Sequence, residues 1–172
     1  MPQTEIVTLE LPLHAAESTG RVNVPFAHPA WLTLRSAGDM RDRVKRIAAL
    51  EAMGIRPDRV CMVRQTHSRR VVDAQDLLRA ASNAAAGERV QGDGIVSGPD
   101  GPFLAVGVGD CAPLYLADLR TGAYALLHSG WRGTGILRRA VERLVHEYES
   151  NPEDLVVTIG PCISADAYVV DD

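Results

Sequence analysis

The chain has 172 residues, with 22 acidic and 18 basic side chains, a net charge of −4 and a hydrophobic share of 46%. That balance fits one globular unit with a sizeable core and excludes disordered and collagen-like classes. Without any sustained Lys/Arg block it argues against a nucleic-acid backbone as partner, and no apolar run approaches the ~18 residues of a membrane span.

The first twenty residues carry Glu5 and Glu10 among apolar positions and no basic region ahead of a greasy one. They do not read as a secretory signal, so the expected compartment is the cytoplasm. Cys61, Cys111 and Cys162 lie far apart with no CxxC pair, which is not a disulfide framework.

Taken in chain order, residues 5–11 and 21–26 read as short strands broken by Pro12, Gly20 and Pro25. Asp39 is the expected N-cap of a helix over 40–53 that buries Met40, Val44, Ile47, Ala48 and Leu50 and stops at Gly54. A buried strand over 59–64 runs into Gln65-Thr66-His67, a second strand covers 71–74, and a helix over 76–86 closes at Gly87. Strands follow at 103–108, 113–118 and 123–128, the last two joined by a turn over 118–122. The clearest helix spans 134–148, with Ile136, Leu137, Ala140, Val141, Leu144, Val145 and Tyr148 inward. A final strand over 155–159 ends at Gly160-Pro161. The whole is an alternating α/β arrangement.

Only five histidines occur, so their placement is informative. His67 follows one strand, His128 ends another, and Cys111 lies in the turn after 103–108. If those strands lie side by side, the three side chains gather at one sheet edge, where α/β folds place ligands. Two imidazoles and a thiolate suit zinc, with a fourth position open as in catalytic sites. Separations of 44 and 17 residues match no zinc-finger spacing. On pattern alone the competing reading stays open: Cys111 as a small buried hydrophobe and the histidines as satisfied core residues.

His128-Ser129-Gly130-Trp131-Arg132-Gly133-Thr134-Gly135 places three glycines between a buried strand and an amphipathic helix. Backbone N–H groups and the helix N-terminus are then available to an anion, and Arg132 adds a cationic fork. The alternative is a plain strand-to-helix turn with Trp131 plugging the core. Asp93 and Asp110 sit close in sequence to these segments and can orient a histidine or shuttle a proton, although Asp93 between two glycines reads first as a turn residue. Cys61 and Cys162 read as packing residues, and Gln65 and Tyr168 as pocket-lining or sheet-capping residues.

Taken together, RQTHSRRVV (64–72), GDGIVS (92–97), LAVGVGDCAPLYLAD (104–118), ALLHSGWRGTG (125–135) and TIGPCISADAYVV (158–170) resemble the laccase-domain family, also called YfiH-type. Its motifs run Q-V-H-G, a D-G segment, A-D-C-x-P, H-A-G-W-R-G, then G-P-x-I followed by Y-x-V. The resemblance implies an α/β (α+β) fold, a layered sandwich of mixed sheets flanked by helices. It implies metal ligands at His67, Cys111 and His128. It also implies a zinc-dependent purine nucleoside phosphorylase acting on adenosine, inosine or methylthioadenosine with adenosine deaminase activity, or, under the older label, a copper polyphenol oxidase. Catalytic roles then fall to Cys111, His128, Arg132 and Asp110, and substrate contacts to Gln65, Arg132, Gly133 and Tyr168. A cysteine hydrolase linked to peptidoglycan editing is the remaining alternative.

A blue-copper site plus a three-copper cluster takes about ten histidines, so five exclude that architecture while leaving a single copper chemically allowed. Phosphorolysis needs an anion site, which Arg132 with the helix N-terminus supplies, and deamination needs the activated water of an open zinc position. The expected partners are a purine nucleoside and phosphate, with no nucleic acid or membrane; the oligomeric state stays open, a homodimer included. This sequence has Q-T-H-S, G-D-C and H-S-G in place of the family residues, and Leu32-Thr33-Leu34-Arg35 in place of an early Asn-Leu motif. Relatives continue past Y-x-V with another helix and strands, so residues 1–172 are expected to form one domain lacking the family's C-terminal part.

Overall fold

A computed structural model describes residues 19–22, 30–33, 38–83 and 90–168. They divide into two compact units, Met1–Asp58 and Arg59–Asp172. The strand expected at 5–11 and the end of that expected at 21–26 lie outside the described residues.

In the first unit β1 (Thr19–Val22) pairs antiparallel with β2 (Ala30–Thr33). Helix α1 (Arg43–Ala52) starts later than the sequence suggests: Asp42 is its N-cap, accepting from the amides of Val44 and Lys45. Asp39 instead binds the Arg41 amide and guanidinium, which fixes the preceding turn. The stop at Gly54 is as expected. With φ at 73°, its N–H donates to Glu51 O and that of Ile55 to Leu50 O, the paired closure of a Schellman motif. The helix buries none of its residues, and Val44 is 76% exposed, so the expected core face is not formed.

The second unit holds every candidate site residue. Its main sheet has five strands in the order β4 (Val71–Asp73), β5 (Gly94–Ser97), β8 (Tyr124–Ser129), β7 (Ala112–Asp118) and β9 (Leu155–Ile159). The β4–β5 pair is parallel and the other pairs are antiparallel. A separate parallel pair joins β3 (Val60–Met62) to β6 (Phe103–Ala105). The architecture is therefore mixed α/β, with helices against the sheets. Among the described residues no helix is long and apolar enough to cross a membrane.

Helix α3 (Ile136–Tyr148) covers one face of the main sheet, burying Ile136, Ala140 and Leu144 against Val71, Val96, Leu116 and Leu127. The i, i+4, i+8 spacing of the buried trio is the inward stripe read from the sequence. Outside it, Arg138 and Arg139 pair with Glu142, and Arg143 with Glu147. On the other face, Val72 and Ile95 join Cys61, Val63, Ala74 and Leu77, the last two from α2 (Ala74–Asn83). Strand β5 is thus apolar on both faces, and all four of its residues are buried. It escapes a sequence reading because nothing alternates in it and it is only four residues long. Gly94 is required there: a Cβ would lie 2.6 Å from Leu127 Cδ2.

The β7–β8 turn forms as expected around Asp118, whose carboxylate accepts from the amides of Arg120 and Thr121, with Gly122 at φ 74°. Cys61 is buried as expected, whereas Cys162 is exposed.

Candidate metal centre

The three strands expected side by side are not one sheet, since β3 and β6 form their own pair while β8 belongs to the five-stranded sheet. The three side chains meet nonetheless. His67 lies in the loop after β3, Cys111 just before β7, and His128 on β8, and their ligand atoms all lie within 4.8 Å of one another. His128 is buried, Cys111 half-buried and His67 exposed, so the cluster opens to solvent on one side. The imidazoles meet edge to face, with ring centroids 4.9 Å apart.

Asp93 holds them there. It is fully buried and accepts from the backbone N–H groups of Thr66, His67 and Ser68 and from the Ser68 hydroxyl. Its Oδ1 also lies 3.0 Å from His128 Nδ1. That contact leaves Nε2 as the ligating nitrogen, the arrangement in which a carboxylate orients a metal-binding histidine. Burial works against the Asp93 charge, but the Ser68 hydroxyl and amide, His128 and Thr66 outweigh it and hold the carboxyl below its usual value. His67 has φ at 57°, a left-handed conformation that costs a non-glycine residue energy. The carboxylate beneath the 66–68 amides offsets that cost. The sequence reading weighed Asp93 as a turn residue first; its placement between glycines at the head of a strand was the available signal.

Gly130 forms the floor. A Cβ there would stand 3.0 Å from Cys111 Sγ and 3.2 Å from His67 Cδ2, so this residue type keeps the space among the donors clear. Converging donors, an oriented imidazole and a cleared floor fit a mononuclear metal ion. Desolvation, then the Asp110 and Asp93 carboxylates, push the Cys111 thiol up. That is the reverse of what a cysteine nucleophile needs, whereas a neighbouring cation favours the thiolate.

The remaining expected site residues are placed as follows. Gly133 is buried, with its N–H donating to Gly130 O, and a Cβ would lie 3.0 Å from the Ser68 carbonyl. It serves close packing of the turn against the His67 loop, and its amide is not free for a ligand. The amides of Thr134 and Ile136 are likewise spent, on Trp131 O and Gly133 O. Arg132 is exposed and makes no ion pair among the described residues. Trp131 is 78% exposed and plugs no core. Gln65 uses both ends of its amide on the Gly107 backbone at 2.7 Å each, pinning the stretch between β6 and Cys111. Asp110 is exposed, and its carbonyl accepts from Ile163 N, tying the segment that leads to Tyr168 to the Cys111 turn. Tyr168 is 47% exposed at the end of a short 3-10 turn.

A separate cleft of about 340 Å³ lies between Arg69–Val71 and α3. It contains none of the metal-donor atoms, and its helix arginines are engaged by Glu142 and Glu147.

Comparison with known proteins agrees with this geometry. The chain is 32% identical over 139 residues to a purine nucleoside phosphorylase of Bacteroides thetaiotaomicron, covering 78% of this chain and 52% of that one. It is 31% identical over 129 residues to adenosine deaminase RL5 of an unknown prokaryotic organism, covering 74% and 49%. Among solved structures, YlmD from Geobacillus stearothermophilus superposes with a TM-score of 0.77 at 28% identity, over 92% of this chain and 67% of that one. The YfiH protein of Bacillus licheniformis gives 0.68 at 25%, over 89% and 61%. The chain spans about half the length of the curated relatives it matches. A family model described as multi-copper polyphenol oxidoreductase laccase matches residues 26–172. The chain's five histidines do not provide for several copper centres; by sequence and by fold, it belongs to this laccase-domain family.

Proposed function

We propose that this chain carries the metal centre of a purine nucleoside phosphorylase that also deaminates adenosine, with zinc as the resident ion. The observation that carries the reading is the His67, Cys111 and His128 set, three donors within 4.8 Å, with an unpaired arginine two residues past the glycine floor. Relatives named purine nucleoside phosphorylase and adenosine deaminase support it. Two imidazoles and one thiolate hold zinc with a fourth position open, and copper is held by the same donors. Bound there, the ion supplies Lewis acidity to the reacting centre.

The chain's own groups account for the rest of the reaction. Arg132 binds phosphate, whose oxygen displaces the purine from the ribose anomeric carbon, and its fixed fork suits that anion. Asp110, exposed beside Cys111, holds a proton for the departing base. Gln65 acts through the Gly107 backbone it clamps, keeping the Cys111 turn in place. Tyr168 contacts substrate from the segment that Asp110 tethers.

The test is incubation of metal-loaded protein with adenosine and phosphate, followed by product analysis. Adenine with ribose 1-phosphate, and inosine from the second activity, are expected, and Cys111→Ala is expected to lose both. Unchanged turnover in that variant would overturn the reading. The family description favours one alternative, phenol oxidation at a single copper held by the same three residues. That alternative requires activity that depends on added copper and consumes oxygen.

A further inference from the structure

The structure leaves one large apolar side chain unused beside the donors. Trp131 follows the glycine floor directly, and its indole is 78% exposed. An isolated exposed apolar residue is ordinary, but the placement of this one is not arbitrary. A Cβ on Gly130 would be 3.0 Å from Cys111 Sγ, and consecutive Cα atoms are about 3.8 Å apart. The Trp131 Cα therefore lies within about 8 Å of the sulfur. Its backbone is also held: Trp131 O accepts from Thr134 Oγ1 at 2.7 Å and from Thr134 N at 3.2 Å. Gly133 N closes the same turn on Gly130 O. The root of the side chain is fixed while the ring buries nothing.

We propose that the Trp131 indole is the base platform of this site, stacking on the purine ring while the neighbouring Arg132 takes the phosphate. The inference rests on the nucleoside reading above and adds the recognition of the base to it. The chemistry favours this division. Phosphate is charged and calls for a guanidinium. A purine is a neutral, flat π system, and an exposed indole carries one face of it without asking for a particular hydrogen-bond pattern. Adjacent residues on one held turn then present the two kinds of surface that the two co-substrates require. Tyr168, 47% exposed, is the other exposed aromatic ring in a segment tethered to the Cys111 turn, and serves as the control.

The experiment titrates the metal-loaded full chain with adenosine and inosine, and separately with ribose 1-phosphate and inorganic phosphate. Tryptophan emission is followed, and affinity is measured by equilibrium dialysis. The chain has two tryptophans, so Trp131→Phe isolates the contribution of Trp131 to the signal. Saturable quenching by the two purine nucleosides alone is expected in the native protein and is expected to vanish in Trp131→Phe, whose affinity stays near native. Trp131→Ala is expected to weaken nucleoside binding about ten-fold, about 1.4 kcal/mol. It is expected to raise KM for the nucleoside in the same proportion, with kcat and phosphate affinity unchanged. Nucleoside affinity within two-fold of native in Trp131→Ala would overturn the proposal, as would a loss seen only in Tyr168→Ala. Emission that follows protein concentration and not purine would overturn it as well, since the indole would then be covered by a second copy. The two readings fail separately: quenching without turnover removes phosphorolysis and keeps the platform, whereas turnover indifferent to Trp131→Ala removes the platform and keeps the reaction.

Discussion

Replacing Asp93 with Asn tests whether one buried carboxylate assembles the metal centre. Oδ1 faces the His67 amide at 3.0 Å and His128 Nδ1 at 3.0 Å, while Oδ2 faces the Ser68 amide and hydroxyl at 2.7 Å each. An asparagine has one acceptor oxygen and one NH2 group. Whichever way it is turned, its NH2 meets a backbone N–H, of His67 or of Ser68. At least one charge-assisted bond is lost and one buried donor is left opposed, for a combined cost of about 3 kcal/mol. For a chain of this length that lowers Tm by about 6–12 °C. The amide also no longer fixes the His128 ring as a carboxylate does, so metal affinity is expected to fall about 10- to 100-fold. Thermal unfolding in the presence of chelator reads the first effect, and competition with a chromophoric chelator reads the second. A Tm within about 1 °C of native together with metal affinity within about two-fold would refute the assignment of Asp93 as the positioning residue.

Gly130→Ala should separate metal binding from folding. Its Cβ meets Cys111 Sγ at 3.0 Å and His67 Cδ2 at 3.2 Å, so the side chains that give way are the ligands. Metal affinity is expected to drop about ten-fold or more in chelator competition, with Tm in chelator changing by only a few degrees. Asp118 predicts an acid-dependent loss of stability. Burial opposes its charge, but the Ser150 hydroxyl and the Thr121 and Arg120 amides outweigh that and bring the carboxyl down to about 2. A lowered folded-state value stabilises above the unfolded value near 4, so the contribution of about 2 kcal/mol is intact at neutral pH. It declines as the pH falls from about 4 and is gone below about 2. Urea unfolding across that range should show Asp118→Asn less stable than native at pH 7 and converging with it at the acid end. A constant gap at all pH values would contradict this.

What the sequence makes legible here is local. Helix α3 is readable because three buried residues repeat every four positions, and the β7–β8 turn because Asp118 and Gly122 are turn residues for separate physical reasons. The Gly54 stop is readable because a Schellman closure needs a residue at ease with positive φ. The cap of α1 is less so: Asp39 and Asp42 are both competent, and the choice depends on which carboxylate the Arg41 guanidinium occupies. Strand β5 is the converse case, since burial on both faces removes the alternation that marks a strand.

The site follows the same division. Residue types alone bring His67, Cys111 and His128 into view, because a thiol and two imidazoles are a coherent ligand set wherever the chain puts them. Their meeting is not local, and it does not come from three neighbouring strands. It comes from Asp93, which binds a loop about 25 residues before it and a strand 35 residues after it. Within its own sequence window such a residue is indistinguishable from a turn former, since its partners are elsewhere. The two glycines after His128 act in the same nonlocal way. Gly130 clears the floor beneath Cys111 and His67, and Gly133 lets the turn before α3 approach the Ser68 carbonyl. One carboxylate and two missing Cβ atoms thus join a loop from the small sheet to a strand of the large one. This is why the donors converge although the strands that carry them are not neighbours.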